Sequence, residues 1–371
     1  MIRRLRVENF KAFRRQAFRL APLTLLSGLN GAGKSSLLQA LLVLRQSFET
    51  GVLDRGRLAL NGELIHLGRF EDALFEGAGE ETITVELDSE AGTFRGAWGY
   101  DADEERVGIP QGALFEVDRD LSLFNAGFRF LAAERIGPRI HHGVPDADSV
   151  AAGLGVQGEW TPHFLANHGD SVIGVLSCGH PQARSSQLGH QVEAWMSEIS
   201  PGIQIHFDRE RELDLVRLSY SFVSARNTSR RFRPTNVGFG VSYTIPVITA
   251  VLAAKPGDLI LLESPEAHLH PRGQARLGAL LAQAAAAGVQ IIVESHSDHI
   301  MNGVRVAVHQ DVLSPDQVRF LHFRRDLGES SDGVLVREIE MDTSGRIAEW
   351  PDGFFDELDR SLEILLAPKA I

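Results

Sequence analysis

The pattern of apolar and polar positions along the chain predicts an α/β fold with a parallel sheet. Short, largely apolar runs occur at Leu23–Leu26, Leu259–Leu262 and Val289–Val293. Runs of this length are typical of strands buried on both faces of a parallel sheet. Ser36–Arg45 contains neither Gly nor Pro and predicts a helix, as does the apolar stretch Thr244–Ala253. Strands and helices therefore alternate at both ends of the chain.

The middle of the chain has a different pattern. Residues 81–87 alternate between polar and apolar, which predicts antiparallel strands within residues 51–100. Residues 101–200 contain Gly- and His-rich turns and a short helical patch at 191–199, but no sustained heptad pattern. We therefore predict an N-terminal lobe at 1–100, a compact insert at 101–215 and a C-terminal lobe at 216–371.

A glycine-rich loop follows the first apolar run. Residues 28–35 match the pattern G-x-x-x-x-G-K-[ST], between a predicted strand and a predicted helix. In this setting backbone N–H groups and a helix N-terminus converge on one point, where phosphate binds. Lys34 is expected to reach the β- and γ-phosphates of ATP, and the Ser35 hydroxyl to bind Mg²⁺. The predicted nucleotide-binding residues are Gly28, Asn30, Gly31, Ala32, Gly33, Lys34, Ser35 and Ser36.

Polar side chains follow the other two buried strands. Glu263 comes directly after Leu259–Leu262, and Glu266 lies three residues later. The carboxyl ends of parallel strands are where ligands bind in open α/β sheets. We predict Glu263 as the metal carboxylate and Glu266 as the group that orients or deprotonates the attacking water. His296 follows the strand at 289–293, so the same edge receives a histidine.

Together these residues resemble an ABC-type ATPase head, and more narrowly the compact bacterial AAA-family ATPases related to the OLD, RecF and SMC proteins. The resemblance rests on Gly28–Ser36, Glu263–Pro271 and Ser295–His296, with Ile2–Phe13 and Glu349–Phe355 at the two ends. It implies a mixed central sheet, an antiparallel β-subdomain and a compact α/β insert without a long coiled coil. It also implies that His296 holds the γ-phosphate. Glu263 departs from the family pattern, which usually has Asp there.

The resemblance implies a signature loop that completes the γ-phosphate site of a second subunit. The candidate segment precedes the helix at 244–253, and its predicted nucleotide-binding residues are Asn236, Gly238, Gly240 and Ser242. One phosphate loop and one signature loop in the chain imply a homodimer that closes on two ATP molecules. A higher oligomer is the alternative assembly.

Composition limits the setting. The chain has 371 residues, of which 43% are hydrophobic, and it has no apolar run long enough to span a membrane. We expect no signal peptide and a cytoplasmic protein, since the single cysteine, Cys178, excludes an internal disulfide framework. The net charge of −12 argues against general nucleic-acid affinity. Positive charge is nevertheless concentrated in two local clusters, and each could form a solvated surface, a phosphate clamp or a DNA-facing groove. The first cluster is Arg3, Arg4, Arg6, Lys11, Arg14 and Arg15, and the second is Arg226, Arg230, Arg231 and Arg233.

Three assignments stay open in the sequence. His268 and His270, with Glu266, His296 and His299, provide an alternative zinc site, although the phosphate loop explains their location better. Glu134 and Arg135 form either a strand-end ion pair or a contact with nucleotide or another subunit. The glutamine that contacts Mg²⁺ in many ABC heads has two candidates, Gln46 and Gln157.

The sequence therefore predicts an ATP-hydrolysing dimeric switch. Resemblance alone suggests the ATPase component of a bacterial DNA-maintenance or antiphage defence system, acting with a separate nuclease or toxin effector and with DNA as a candidate partner. The alternative is an ATP-binding scaffold or sensor that assembles an effector with negligible hydrolysis. Glu263 in place of Asp is the feature that favours this alternative.

Overall fold

A computed structural model describes residues 1–90, 92–101, 106–108, 118–145, 153–325 and 333–367. Parts of the predicted insert, at 102–105, 109–117 and 146–152, lie outside the described residues. The strands are β1 Ile2–Phe10, β2 Phe13–Arg19, β3 Leu23–Gly28, β4 Thr82–Ser89, β5 Thr93–Asp101, β6 Arg106–Gly108, β7 Phe128–Leu131, β8 His141–Gly143, β9 Ile203–Glu210, β10 Leu215–Phe222, β11 Leu259–Glu263, β12 Gln290–Glu294, β13 Val318–Arg325 and β14 Val334–Ile339. The helices are α1 Lys34–Glu49, α2 Phe70–Ala73, α3 Thr161–His168, α4 Leu188–Ile199, α5 Phe239–Ala253, α6 Pro271–Ala286, α7 Asp298–His309 and α8 Glu357–Leu366.

A six-stranded central sheet organises the protein. Its strand order is β14-β13-β3-β12-β11-β7. Neighbouring strands from β13 to β7 are parallel, and β14 pairs antiparallel with β13. The predicted mixed central sheet is therefore confirmed. The strand that precedes the phosphate loop, β3, lies next to β12 and two strands from β11.

The central sheet is buried on both faces, as its apolar runs predicted. Leu259 and Leu261 belong to the core on one face, which includes α1 and the N-terminal antiparallel sheet. Ile260 and Leu262 belong to the core on the other face, which includes α5, α6 and α7. Successive side chains of a strand point to opposite faces, so continuous apolar runs are required here.

The predicted antiparallel β-subdomain is present, with a different composition from that expected. Its sheet has the order β2-β1-β4-β5-β6 and includes the N-terminal hairpin. The turn of that hairpin carries Asn9 and Lys11 at positive φ and buries Phe10 and Phe13. Ala12, in the same turn, lies 3.1 Å from the position of a Cβ built on Gly33. The aromatic turn therefore packs directly against the phosphate loop.

The predicted insert contributes to both the core and a small lobe. A three-stranded sheet, β8-β10-β9, packs with α3 and α4 on the face that holds α5. Cys178 is buried in this lobe, and burial raises the pKa of its thiol to about 12. β7 also lies between residues 101 and 215, yet it forms the edge of the central sheet beside β11. The three-part division of the chain stays a prediction.

The remaining sequence predictions concern long helices and the C-terminus. The longest helices among the described residues, α1 and α6, have 16 residues each, so a long coiled coil is not seen there. No helix in the described part of the chain is long and apolar enough to cross a membrane. Phe354 is fully buried and its ring meets His322 edge-on, which anchors the C-terminal segment to β13.

Candidate nucleotide-binding site

The phosphate loop connects β3 to α1. Gly28 has a φ of 134°, and a Cβ on this residue would collide with the carbonyl oxygen of Phe323. Gly33, with a φ of 95°, precedes the first residue of α1. These backbone conformations favour glycine, and they turn the N-terminus of α1 toward the loop. The loop borders a cleft of about 660 Å³ whose lining includes Lys11, Ala12, Asn30, Gly31, Gly33 and Gln39.

Lys34 is folded back into the phosphate loop. Its Nζ donates hydrogen bonds of 2.9 Å to the carbonyl oxygens of Gly28 and Leu29. The residue is only 3% exposed, and burial lowers the pKa of its ammonium while Glu294 opposes that shift. The Nζ lies 3.7 Å from Glu294 Oε1. Lys34 also lines the cleft beside the phosphate loop.

Glu294, which the sequence analysis did not select, is the carboxylate that contacts the phosphate loop. Ser35 Oγ donates a 2.9 Å hydrogen bond to Glu294 Oε2. Glu294 is the last residue of β12, the strand next to β3, and it is buried. The sequence did carry a signal, because a glutamate follows the apolar run at 289–293. Without the strand order, that signal could not be ranked against Glu263.

Glu263, the predicted metal carboxylate, lies at the end of β11 beside Glu294 in the strand register. Its Oε2 accepts a 3.1 Å hydrogen bond from the backbone amide of Ala133. Burial raises the pKa of this carboxyl, and the neighbouring charge of Glu294 raises it further. The two carboxyl groups therefore lie side by side at the carboxyl edge of the sheet.

The donor set at this edge fits a magnesium ion. Ser35 supplies a hydroxyl oxygen, and Glu294 and Glu263 supply carboxylates on adjacent strands. Mg²⁺ takes oxygen ligands and is usually held by one or two carboxylates together with substrate phosphates and water. These three residues are the ones that would hold it.

The structure brings Glu266 and His296 together. Glu266 Oε1 accepts a 2.7 Å hydrogen bond from the backbone amide of His296. The other oxygen, Oε2, is buried and has no hydrogen-bond partner among the described residues. The His296 residue is exposed. One carboxylate oxygen is thus fixed, and the other retains its capacity to accept a hydrogen bond.

Arg135 is a buried guanidinium at the same edge. It is 2% exposed and donates to the carbonyl oxygens of Ala132, Glu263 and Ser264. Its charge also lies over the Tyr243 ring, 5.5 Å from the centroid. Burial lowers the pKa of this guanidinium to about 10. Arg135 therefore ties the end of β7 to the loop after β11 and to α5, and its partners are carbonyls rather than the Glu134 carboxylate.

The candidate signature loop lies at the start of α5, which begins at Phe239 rather than at the predicted Thr244. Asn236, Gly238 and Gly240 line a cleft of about 530 Å³. A Cβ on Gly240 would lie 2.5 Å from the His268 carbonyl oxygen, whereas a Cβ on Gly238 would meet nothing within 4 Å. Gly240 therefore allows close packing of the helix on the loop, whereas Gly238 has space beside it for a side chain.

Ser242, the fourth predicted residue of this loop, is placed differently. Its Oγ is buried and interacts with the Tyr220 side chain, whose hydroxyl pKa is raised by burial. This difference follows from the early start of α5, because a residue inside the first helical turns projects according to the helix period. In this conformation the Ser242 hydroxyl faces the core.

The two candidate glutamines and the alternative zinc site can now be compared with the structure. Gln46 is buried and bonds to the backbone of residues 59, 64 and 65, and Gln157 lines a separate cleft with Arg45 and Glu49 at the far end of α1. Neither glutamine lines the phosphate-loop cleft, whereas Gln39 does. His270 caps α6, and the described residues contain no cluster of three metal-ligating side chains of the His, Cys, Asp and Glu types.

At least half of the N-terminal basic cluster pairs with acidic residues. Arg4 and Arg6 pair with Asp88 on the neighbouring strand β4, and Arg3 pairs with Glu90. In the second cluster, Arg231 pairs with Asp208. Paired surface charges are typical of a solvated face and weaken the case for a DNA groove at β1.

Family comparisons divide the chain into three matched segments. Residues 1–92 match the family described as "AAA ATPase domain". Residues 197–302 match the family described as "AAA domain, putative AbiEii toxin, Type IV TA system". Residues 313–365 match a family of unknown function, DUF3696. No curated protein is significantly similar to the chain in sequence.

Solved structures show the same fold at low sequence identity. The Smc head domain of Pyrococcus furiosus, solved with an extended coiled coil and the C-terminal domain of ScpA, is 12% identical with a TM-score of 0.55, and the match covers 98% of each chain. An SmcHead bound to the C-winged helix domain of ScpA is 12% identical with a TM-score of 0.54, covering 92% of this chain and 98% of the other. The two AAA matches and the fold together support an ABC-type AAA ATPase head, whose fold the chain shares with the Smc heads.

Proposed function

We propose that this protein is a Mg²⁺-dependent ATPase that acts as a homodimeric switch. ATP would bind in the cleft beside the phosphate loop, with its phosphates near Lys34 and the N-terminus of α1. Two heads would close on two ATP molecules, and hydrolysis would release them. A ligand that binds the closed state better than the open one shifts the population between the two.

The observation that carries this proposal is that the phosphate loop and the candidate signature loop border two different clefts of one chain. The cleft of Lys34 and Ser35 and the cleft of Asn236 and Gly238 share no lining residue. Large apolar side chains are exposed beside both, with Leu29 at 76% and Phe239 at 56% exposure. Exposed apolar side chains on loops are typical of contact surfaces. A second copy of the chain that packs over these exposed side chains would bring its own signature loop to the ATP phosphates bound by the first copy.

The chain's own residues suggest how water would attack. Glu266 has one oxygen fixed by the His296 amide and one free to accept a proton. We assign Glu266 as the general base and His296 as the contact to the γ-phosphate. Lys34 and the loop amides would stabilise the charge that develops on the phosphoryl oxygens. Ser35, Glu263 and Glu294 would hold the Mg²⁺, which neutralises that charge.

The biological setting is the coarsest part of the proposal. We propose a cytoplasmic ATPase component of bacterial DNA maintenance or antiphage defence, in which the dimer controls a separate nuclease or toxin, with DNA as a candidate regulator. The SMC heads of similar fold were solved with ScpA domains, so heads of this fold do bind separate proteins. An ATP-binding scaffold with negligible hydrolysis remains the second candidate, because Glu263 stands where Asp is usual.

Purified protein tests the proposal through ATP binding and phosphate release. Lys34→Ala is expected to weaken ATP binding by about tenfold or more, because a charge-assisted contact to phosphate is lost. Lys255→Ala is the matched control, since Lys255 is exposed on the loop that enters β11 at the opposite edge of the sheet. Equal ATP affinity in the two variants would contradict the proposal. Binding without phosphate release, with and without DNA, would favour the scaffold.

A further inference from the structure

Glu294 occupies the centre of the proposed ATP site. It is 7% exposed, accepts the Ser35 hydroxyl at 2.9 Å, and lies 3.7 Å from Lys34 Nζ. Burial of a carboxylate is costly unless it is paired, and the partners of Glu294 are the two side chains of the phosphate loop that would contact nucleotide and metal. The position follows from the strand order, because β12 is the direct neighbour of β3.

Glu263 lies one strand further away. Neighbouring strands are about 4.8 Å apart, so the end of β11 is roughly 10 Å from the phosphate-loop strand. The Glu263 carboxylate is also bonded to the Ala133 amide, on the side of β7. Of the two glutamates, Glu294 is therefore the one already in contact with the loop that holds the phosphates.

We propose that Glu294 is a direct ligand of the Mg²⁺ that accompanies ATP, beside Ser35, with Glu263 supporting the ion from the next strand. The inference rests on the proposed ATPase function and distinguishes the roles of the two glutamates at its metal site. Two neighbouring ligands about 2.1 Å from an octahedral Mg²⁺ are about 2.9 Å from each other. The Ser35 and Glu294 oxygens already have this separation.

This placement gives Glu294 opposite effects with and without the metal. In the absence of Mg²⁺ the Glu294 carboxylate pairs with the Lys34 ammonium and repels the nucleotide phosphates. In the presence of Mg²⁺ the same charge attracts the ion that the phosphates share. Glu294 would therefore make tight ATP binding conditional on the metal.

Glu294→Gln tests the inference, because the substitution removes the charge and keeps the shape. Binding of a fluorescent, non-hydrolysable ATP analogue is measured in Mg²⁺ and in EDTA. In Mg²⁺ we expect about tenfold weaker binding than in the wild type, as is usual when a residue supporting a metal is lost. In EDTA we expect binding as tight as in the wild type or tighter. Electron paramagnetic resonance of Mn²⁺ with the analogue should show the matching loss of bound metal.

The controls separate this inference from the function on which it rests. Glu263→Gln should lower the Mg²⁺-dependent affinity less than Glu294→Gln does. Unchanged Mn²⁺ binding in Glu294→Gln, or tighter analogue binding in both buffers, would overturn the inference. Glu294 would then only hold the Ser35 and Lys34 side chains in place. A wild-type protein that binds no analogue in either buffer would instead overturn the proposed function itself.

Discussion

Glu266→Gln is expected to reduce ATP turnover by about 10²- to 10⁴-fold, the usual contribution of a positioned general base. The amide keeps the hydrogen-bond acceptor for the His296 backbone and loses the oxygen that takes a proton. ATP affinity should stay within a few-fold of the wild type, because Glu266 does not contact the phosphate loop in this structure. The variant should therefore accumulate as an ATP-bound dimer, measured by light scattering coupled to gel filtration.

Glu49→Gln is the matched control for this prediction. Glu49 lies at the C-terminal end of α1, where it pairs with Arg45, far along the helix from the phosphate loop. Its substitution should change turnover little. Full phosphate release by Glu266→Gln would remove Glu266 from the proposed chemistry and leave the base to be sought elsewhere on the same edge of the sheet.

Arg135→Ala is expected to lower the free energy of unfolding by about 3 kcal/mol. The substitution leaves the carbonyl oxygens of Ala132, Glu263 and Ser264 without their buried donor, and each lost partner costs about 1 kcal/mol or more. Chemical denaturation monitored by tryptophan fluorescence measures the change. Because the same contacts fix the loop that carries Glu266, turnover should fall as well.

The neighbouring Arg139→Ala provides the comparison. Arg139 is exposed and lies four residues further along the same loop, so its loss should change stability by about 0.5 kcal/mol or less. Equal stability of the two variants would show that the carbonyl contacts of Arg135 contribute nothing to the fold.

The sequence predicted those parts of the site that depend on local pattern. The phosphate loop lies between a buried strand and a helix. The apolar run before the loop, the glycine-rich turn and the helical pattern after it specify this unit locally. Glu263 and Glu294 end adjacent parallel strands for a similar reason, since buried runs end where polar residues begin.

Strand order is the part that local pattern could not provide. Burial of a strand on both faces says nothing about its neighbours, so the sequence could not show that β12 separates β3 from β11. Glu263 was therefore selected because it ends a buried strand, and Glu294, which ends the neighbouring strand, was missed. The role of Arg135 was left open for the same reason, because its partners are backbone carbonyl oxygens and no sequence pattern marks such partners.

The start of α5 and the partners of the N-terminal arginines also depend on residues that are distant in sequence. Gly238 and Gly240 predicted a loop up to Thr244, yet α5 begins at Phe239 because Gly240 allows the helix to pack on the His268 carbonyl. For the N-terminal arginines the sequence left a solvated surface, a phosphate clamp and a DNA-facing groove as alternatives, and the pairing of Arg4 and Arg6 with Asp88 of β4 favours the solvated surface. Both contacts come from other elements of the fold, which the local pattern does not identify.

Mixing two inactive variants tests the central claim of a shared ATP site most directly. Lys34→Ala disables the phosphate loop, and Gly238→Glu adds a charge to the signature loop at a position where a side chain meets nothing within 4 Å. In a two-fold dimer, one site of each mixed pair keeps both intact halves, so an equal mixture should recover about a quarter of the wild-type phosphate release. No recovery from well-folded variants that exchange subunits, or full activity in either variant alone, would contradict a site built by two chains.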